Sequence, residues 1–178
     1  DFAADFIIHI QAENKVALLA RTTDKWGRRL GLAFASPVEF KKFPFGQWMA
    51  QEEFAIAVAA LFADTEDKAY VLKLSSSLIN EATGQSEDDG FTQRATVKAG
   101  LARKDTVTIK PRVLLAPYRT FPEVDQPNSE FVFRARIQDG GTPQLMLVEA
   151  DGGAWKIAAI KTIRGAIEAF NLNIPIIS

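Results

Sequence analysis

His9 is the only histidine among the 178 residues, and cysteine is absent. A zinc site would therefore need carboxylates to complete it, and no thiolate is present to serve as nucleophile or ligand. A Ser-His-Asp arrangement would have to be built around His9, and no Gly-x-Ser-x-Gly turn exposes a serine. In strand alternation His9 falls opposite Phe6, Ile8 and Ile10, which suits a surface or interface histidine. Acids gather at Asp64, Glu66 and Asp67 and again at Glu87, Asp88 and Asp89. Oxygen clusters of this kind can hold Mg²⁺ or Ca²⁺, but the spacing of a calcium loop is missing, and solvated turns are the plainer reading. Asp151-Gly152-Gly153 precedes a helical pattern and could offer backbone N–H groups to an anion. A phosphate loop would continue into Lys and then Ser or Thr, whereas Trp155 stands there, so a plain turn is expected. No cofactor or metal is expected, and the chain reads as a non-enzyme.

The stronger signal is cationic. Arg94, Lys98, Lys110, Arg112, Arg134 and Arg136 all fall on the polar parity of predicted strands, and the alternation predicts that they share one face of one sheet. Residues 91–138 hold nine Lys or Arg against four acids, although the whole chain carries a net charge of −1. The remainder must be acidic by difference, as the helical region and the following loop are. Such a face suits a solvated surface, a partner surface that meets acidic regions of another subunit, or a track for nucleic acid. The aromatics of these strands, Phe91, Phe131 and Phe133, fall on the opposite parity, so the stacking platform typical of single-strand binding is lacking.

The elements that must position these groups can be read from periodicity. Residues 5–12 and 16–22 form a hairpin around Glu13-Asn14-Lys15, and a third strand covers Leu30 to Ala35. SPVEFKKFPFGQWM is a loop held down by its own rings. Phe54, Val58, Leu61 and Phe62 make one stripe of a helix beginning near Gln51. Tyr70, Val71, Leu74 and Leu78 make the stripe of a second helix from about Asp67, with Gly84 as its stop. The acidic stretch 85–90 reads as a mobile loop. Period-two segments follow at 91–99 and 106–113, forming a ribbon. A further pair, 131–138 and 144–148, turns at Asp139-Gly140-Gly141, giving one sheet of about four strands. A C-terminal helix over about 154–170, with Ile157, Ile160, Ile163, Ile167 and Phe170 on one face, is expected to cover that sheet. The tail IPIIS can add a strand within the chain or to a neighbour.

This pattern gives an α+β fold in a single domain: a meander at 1–46, a helical hairpin at 47–84, and an antiparallel sheet with its helix at 91–178. At 47% hydrophobic residues the chain can bury one substantial core. The longest apolar run, AIAVAALFA, is about half the roughly 20 residues a bilayer-spanning helix needs. The opening DFAADFIIHI carries no basic leader and does not read as a signal peptide. The lack of cysteine suits a reducing compartment.

The passage FPEVDQPNSEFVFR at 121–134, with FGQWMAQEEFA and the acidic loop leading into strands, resembles the YfdQ-like family of phage and prophage proteins, a domain of unknown function. The resemblance lies in the order of features over roughly residues 40–170, including the helix start from Trp48 to Phe54. It implies a bacterial cytoplasmic or phage setting and carries no activity. The expected function is self-assembly into a homo-oligomeric ring or shell, the basic face and apolar tail meeting acidic surfaces of neighbours. The alternative is an accessory nucleic-acid-binding protein of phage replication or recombination that uses the same six cations on phosphates.

Overall fold

The computed structural model describes residues 6–20, 25–78, 93–98, 104–137 and 142–178, and the side chains of 93–98, 104–107 and 137 lie outside that description. In chain order the strands are β1 (Phe6–Ala12), β2 (Lys15–Ala20), β3 (Gly31–Ala35), β4 (Met49–Ala50), β5 (Phe62–Ala63), β6 (Gln93–Lys98), β7 (Lys104–Ile109), β8 (Arg112–Pro117), β9 (Ser129–Ile137), β10 (Pro143–Glu149) and β11 (Ile176–Ile177). The helices are α1 (Gln51–Leu61), α2 (Glu66–Ser77) and α3 (Ala154–Glu168). The class is α+β, as expected. The chain gathers into two compact units, each assembled from segments distant in sequence.

The first unit takes Asp1–Phe40, Tyr118–Pro127 and Gly153–Ser178. Its sheet has the order β11-β1-β2-β3. The β1–β2 hairpin turns at Glu13-Asn14 and pairs Ile7 with Leu19 and His9 with Ala17. β11 lies parallel to β1, Ile8 opposite Ile176. Helix α3 packs against β1. The expectation had placed this helix on the sheet immediately before it in the chain. It belongs to the N-terminal sheet instead, because the segment after it turns back and pairs with β1, which anchors the helix on that side. Its buried side is narrower than the isoleucine stripe suggested: Ala159 and Ile163 are buried, whereas Ile157 and Phe170 are exposed. Gly152 and Gly153 both have positive φ, 62° and 86°, so the Asp-Gly-Gly segment is a left-handed turn that suits glycine. Here Thr120 donates to the Glu13 carbonyl, and Gln126 ties its own loop by accepting from Arg119 N at 3.1 Å and donating to Phe121 O at 2.9 Å.

The second unit takes Lys41–Pro117 and Asn128–Gly152. Its antiparallel sheet runs β4-β10-β9-β8-β5, and β6 and β7 form a separate two-stranded ribbon. The α1–α2 hairpin packs on this sheet through Phe54, Val58, Val71 and Leu74 against Val113, Leu115, Phe131, Phe133, Leu145 and Leu147, all buried. Phe43 and Phe45 from the aromatic loop complete the core. Phe45 stacks on Phe131 at 5.0 Å between centroids, and Phe43 meets Phe62 edge-on at 5.2 Å. Phe62 is fully buried as expected but lies in β5, one residue past the end of α1.

Two polar devices fix the hairpin. Gln51 at the start of α1 donates through Nε2 to Ser75 O and, at 3.1 Å, to Leu78 O, so the two helices are tied end to end. Thr65 caps α2, its Oγ1 accepting from Lys68 N at 3.0 Å. Thr65→Ala is expected to lower stability by about 1 kcal/mol, measurable as a shift in the urea midpoint with an unchanged slope. The Gly84 stop, the acidic stretch 85–90 and the turn 139–141 lie outside the described residues.

Candidate interaction surfaces

The six cations are not one array. The period-two pattern read 106–113 as a single strand, but Pro111 has no N–H and cannot continue a ladder. The chain breaks there into β7, which pairs with β6, and β8, which pairs with β9. Arg94 and Lys98 belong to β6 and hence to the ribbon, their side chains outside the described residues. Lys110 sits at the break. Only Arg112, Arg134 and Arg136 share a pleated face of the five-stranded sheet: Arg112 is opposite Val132, whose parity on β9 is that of both other arginines.

The cations with defined contacts are engaged within the chain. Lys110 Nζ donates to Asp67 Oδ1 at 2.7 Å, and Lys110 N donates to Tyr70 Oη at 2.9 Å. Arg112 pairs with Glu130 at 2.8 Å. The Arg136 guanidinium lies 4.2 Å from the ring centroid of Trp48 and donates through Nε to Gln144 Oε1 at 2.9 Å. Trp48 therefore gives this face an aromatic that the parity argument missed; its place beside β4, next to β10, could not be read from a two-residue strand.

Asp67 is the centre of this region. Its Oδ2 accepts from the backbone N–H of Leu114 at 2.6 Å while Oδ1 holds Lys110, so one carboxylate clips α2 to the start of β8. Burial works to raise its pKa, but the Leu114 N–H and the Lys110 ammonium outweigh that and hold it below the usual carboxylate range. Lys110 is raised in turn, chiefly by its hydrogen bond to Asp67. Asp64 pairs with the buried Lys68 at 2.8 Å, which lowers the Asp64 carboxyl. The first acidic cluster is thus divided between two lysines, and among the described residues no three His, Asp or Glu side chains gather into a metal-binding group. The second cluster, Glu87 to Asp89, lies outside the described residues.

The tail, expected to add a strand within the chain or to a neighbour, does so within the chain as β11. Arg164 holds it further, donating to Ile176 O at 3.2 Å and to Ser178 Oγ at 2.8 Å. At the Asp151–Gly153 turn the indole of Trp155 lies 3.8 Å from the Arg119 guanidinium.

A different surface stands out in the first unit. β3 ends its sheet, and among the described residues no strand pairs with its outer side. All five of its residues are exposed. The segment around it carries Trp26, Leu30, Leu32, Phe34 and Val38 with relative exposures of 73, 59, 46, 66 and 72%. Scattered single apolar residues are ordinary on a protein surface; apolar residues at alternate positions, here Leu30, Leu32 and Phe34, on a sheet edge that no described strand covers are the arrangement that can recruit another strand. The periodicity located this strand, but edge and centre strands look alike when the pairing partner is unknown. The chain matches no known protein family, no curated protein and no solved structure. No helix among the described residues is long and apolar enough to cross a membrane.

Proposed function

We propose that this protein acts by self-association, as a non-enzymatic component that assembles into a homo-oligomer. The observation that carries this reading is the exposed apolar edge at β3. An edge strand without charge or proline offers backbone donors and acceptors together with apolar side chains, which is the chemistry of strand addition. The basic sheet face and the tail give this reading less support, since Lys110, Arg112 and Arg136 have partners inside the unit and β11 is paired with β1. A cytoplasmic phage or prophage setting, with a ring or shell as the assembled form, belongs to the same proposal and draws on the resemblance of residues 121–134. The nucleic-acid alternative is weakened by the same pairings, because cations held by carboxylates must first be released to meet phosphates.

Sedimentation velocity at micromolar concentration is expected to give a mass that is a multiple of the 19.6 kDa chain. Because the contact is apolar and backbone-based, the assembly is expected to persist in high salt, where one held by surface ion pairs would loosen. A monomeric mass throughout the micromolar range contradicts the proposal.

A further inference from the structure

The second unit has a surface of its own, the face of the five-stranded sheet turned away from α1 and α2. Both helices of this unit pack on the other, buried side. On the outer face Gln144 is opposite Arg136, Met146 opposite Arg134 and Val148 opposite Val132. Arg112 and Leu114 continue it on β8, where Leu114 is opposite Glu130. Three arginines therefore stand against one glutamate, a balance that favours an anionic partner. Apolar side chains lie between them, and Leu114 and Val148 are exposed.

Arg136 is exposed, yet it is held in place. Its Nε donates to Gln144 Oε1 at 2.9 Å while its plane lies over the Trp48 ring at 4.2 Å. Both partners are neutral, and among the described residues the terminal Nη groups have no acceptor. A guanidinium fixed in this way has given up its rotamer freedom before a ligand arrives, and it keeps its Nη edge and its far plane for that ligand. Lys110 and Arg112 differ, because each must leave a carboxylate before meeting another anion. An acidic side chain would satisfy the edge of Arg136 and leave the plane bare. A nucleotide fills both, bringing a phosphate to the edge and a flat base to the plane. Trp48 extends the stack from below, and Met146 and Val132 offer neighbouring bases an apolar floor. In a duplex the base planes are hidden within the stack, so the strand that fits is single.

We infer that this face binds single-stranded nucleic acid. The Arg136 guanidinium, backed by Trp48, stacks one base, and Arg112 and Arg134 meet flanking phosphates, over a footprint of about two or three bases. The inference uses no residue of β3 and is independent of self-association.

Fluorescence anisotropy of labelled oligothymidylate and oligouridylate, titrated with the full chain at low salt, tests this. At least one of the two is expected to bind, a duplex of the same length about tenfold or more weakly, and added salt is expected to weaken both. Trp48→Ala and Arg136→Ala are each expected to cost about tenfold in affinity. Arg136→Lys, which keeps the charge and loses the plane, is expected to cost several-fold, whereas Trp48→Phe keeps a ring and stays within about twofold. Lys73→Ala, on the exposed side of α2, is expected to change nothing. Far-UV spectra show which variants keep the fold, and the exposed Arg136 substitutions decide the matter should Trp48→Ala lose it. Failure of both single strands to bind overturns the inference, as does equal binding of the duplex or an unchanged affinity in Arg136→Ala. If polyglutamate displaces the labelled strand as well as unlabelled strand does, the face is a surface for acidic proteins and the nucleic-acid assignment is wrong.

Discussion

Phe62→Ala is expected to destabilise the second unit by about 3–5 kcal/mol. The side chain is fully buried and meets Phe43, Phe45 and Phe131 at centroid distances of 5.2, 6.3 and 6.3 Å, all edge-on. Truncation leaves a cavity bounded by three aromatic rings, which cannot collapse easily because each is held by other contacts of the core. The backbone adds to the cost, for β5 pairs Phe62 with Pro117 while the Phe62 carbonyl accepts from the buried Lys68 ammonium at 2.6 Å. Loosening Phe62 therefore loosens the lysine's site. Against a total of about 5–15 kcal/mol for a typical domain, this is a large share. Urea unfolding followed by Trp48 fluorescence, with Trp26 and Trp155 replaced by phenylalanine, reports the second unit, since Trp48 is its one tryptophan. A loss below about 1 kcal/mol would place Phe62 outside the group of large core deletions.

Asp67→Asn is expected to cost about 1–3 kcal/mol at neutral pH, because an amide cannot accept from both the Leu114 N–H and the Lys110 ammonium with the strength of a carboxylate. The effect has a pH signature. The Asp67 carboxyl is held below the ordinary aspartate range in the folded state. Its contribution is therefore complete above the unfolded value and is lost as pH falls through the folded one. The gap between wild type and Asp67→Asn is expected to be constant from about pH 7 to pH 5 and to shrink below about pH 4. Chemical unfolding at pH 7, 5 and 3 measures it. An equal midpoint at pH 7 would show that the clip from α2 to β8 contributes nothing to stability.

These residues also mark how far the sequence could be read. Strand boundaries in the N-terminal meander were legible because β1 and β2 are apolar runs split by a polar turn, and the helix stripes were legible because Phe54 and Val58, like Val71 and Leu74, recur at helical spacing. The arrangement of cations was not, for two reasons. Parity is a local property, whereas sharing a face requires that strands be neighbours, and Pro111 changes the neighbour between Lys110 and Arg112. Pairing also depends on residues distant in sequence: Asp67 and Lys110, or Trp48 and Arg136, carry no mark of one another. The C-terminal helix was misplaced for a related reason. An amphipathic stripe states that a helix must be covered and says nothing about which sheet covers it, and here the choice is made by two isoleucines beyond the helix that pair with β1.

That pairing has a consequence for biosynthesis. β1, β2 and β3 leave the ribosome before the second unit, whereas α3 and β11 are made only after it. At roughly 5–20 residues per second, the delay between Ala35 and Gly153 is on the order of ten seconds. Throughout that interval both margins of the nascent three-stranded sheet stand open, the flank awaiting Ile176 and the flank rich in Leu32 and Phe34. On a polysome, where several growing chains lie side by side, cotranslational encounter between such margins competes with completion of each chain, so a holding chaperone has its clearest task here.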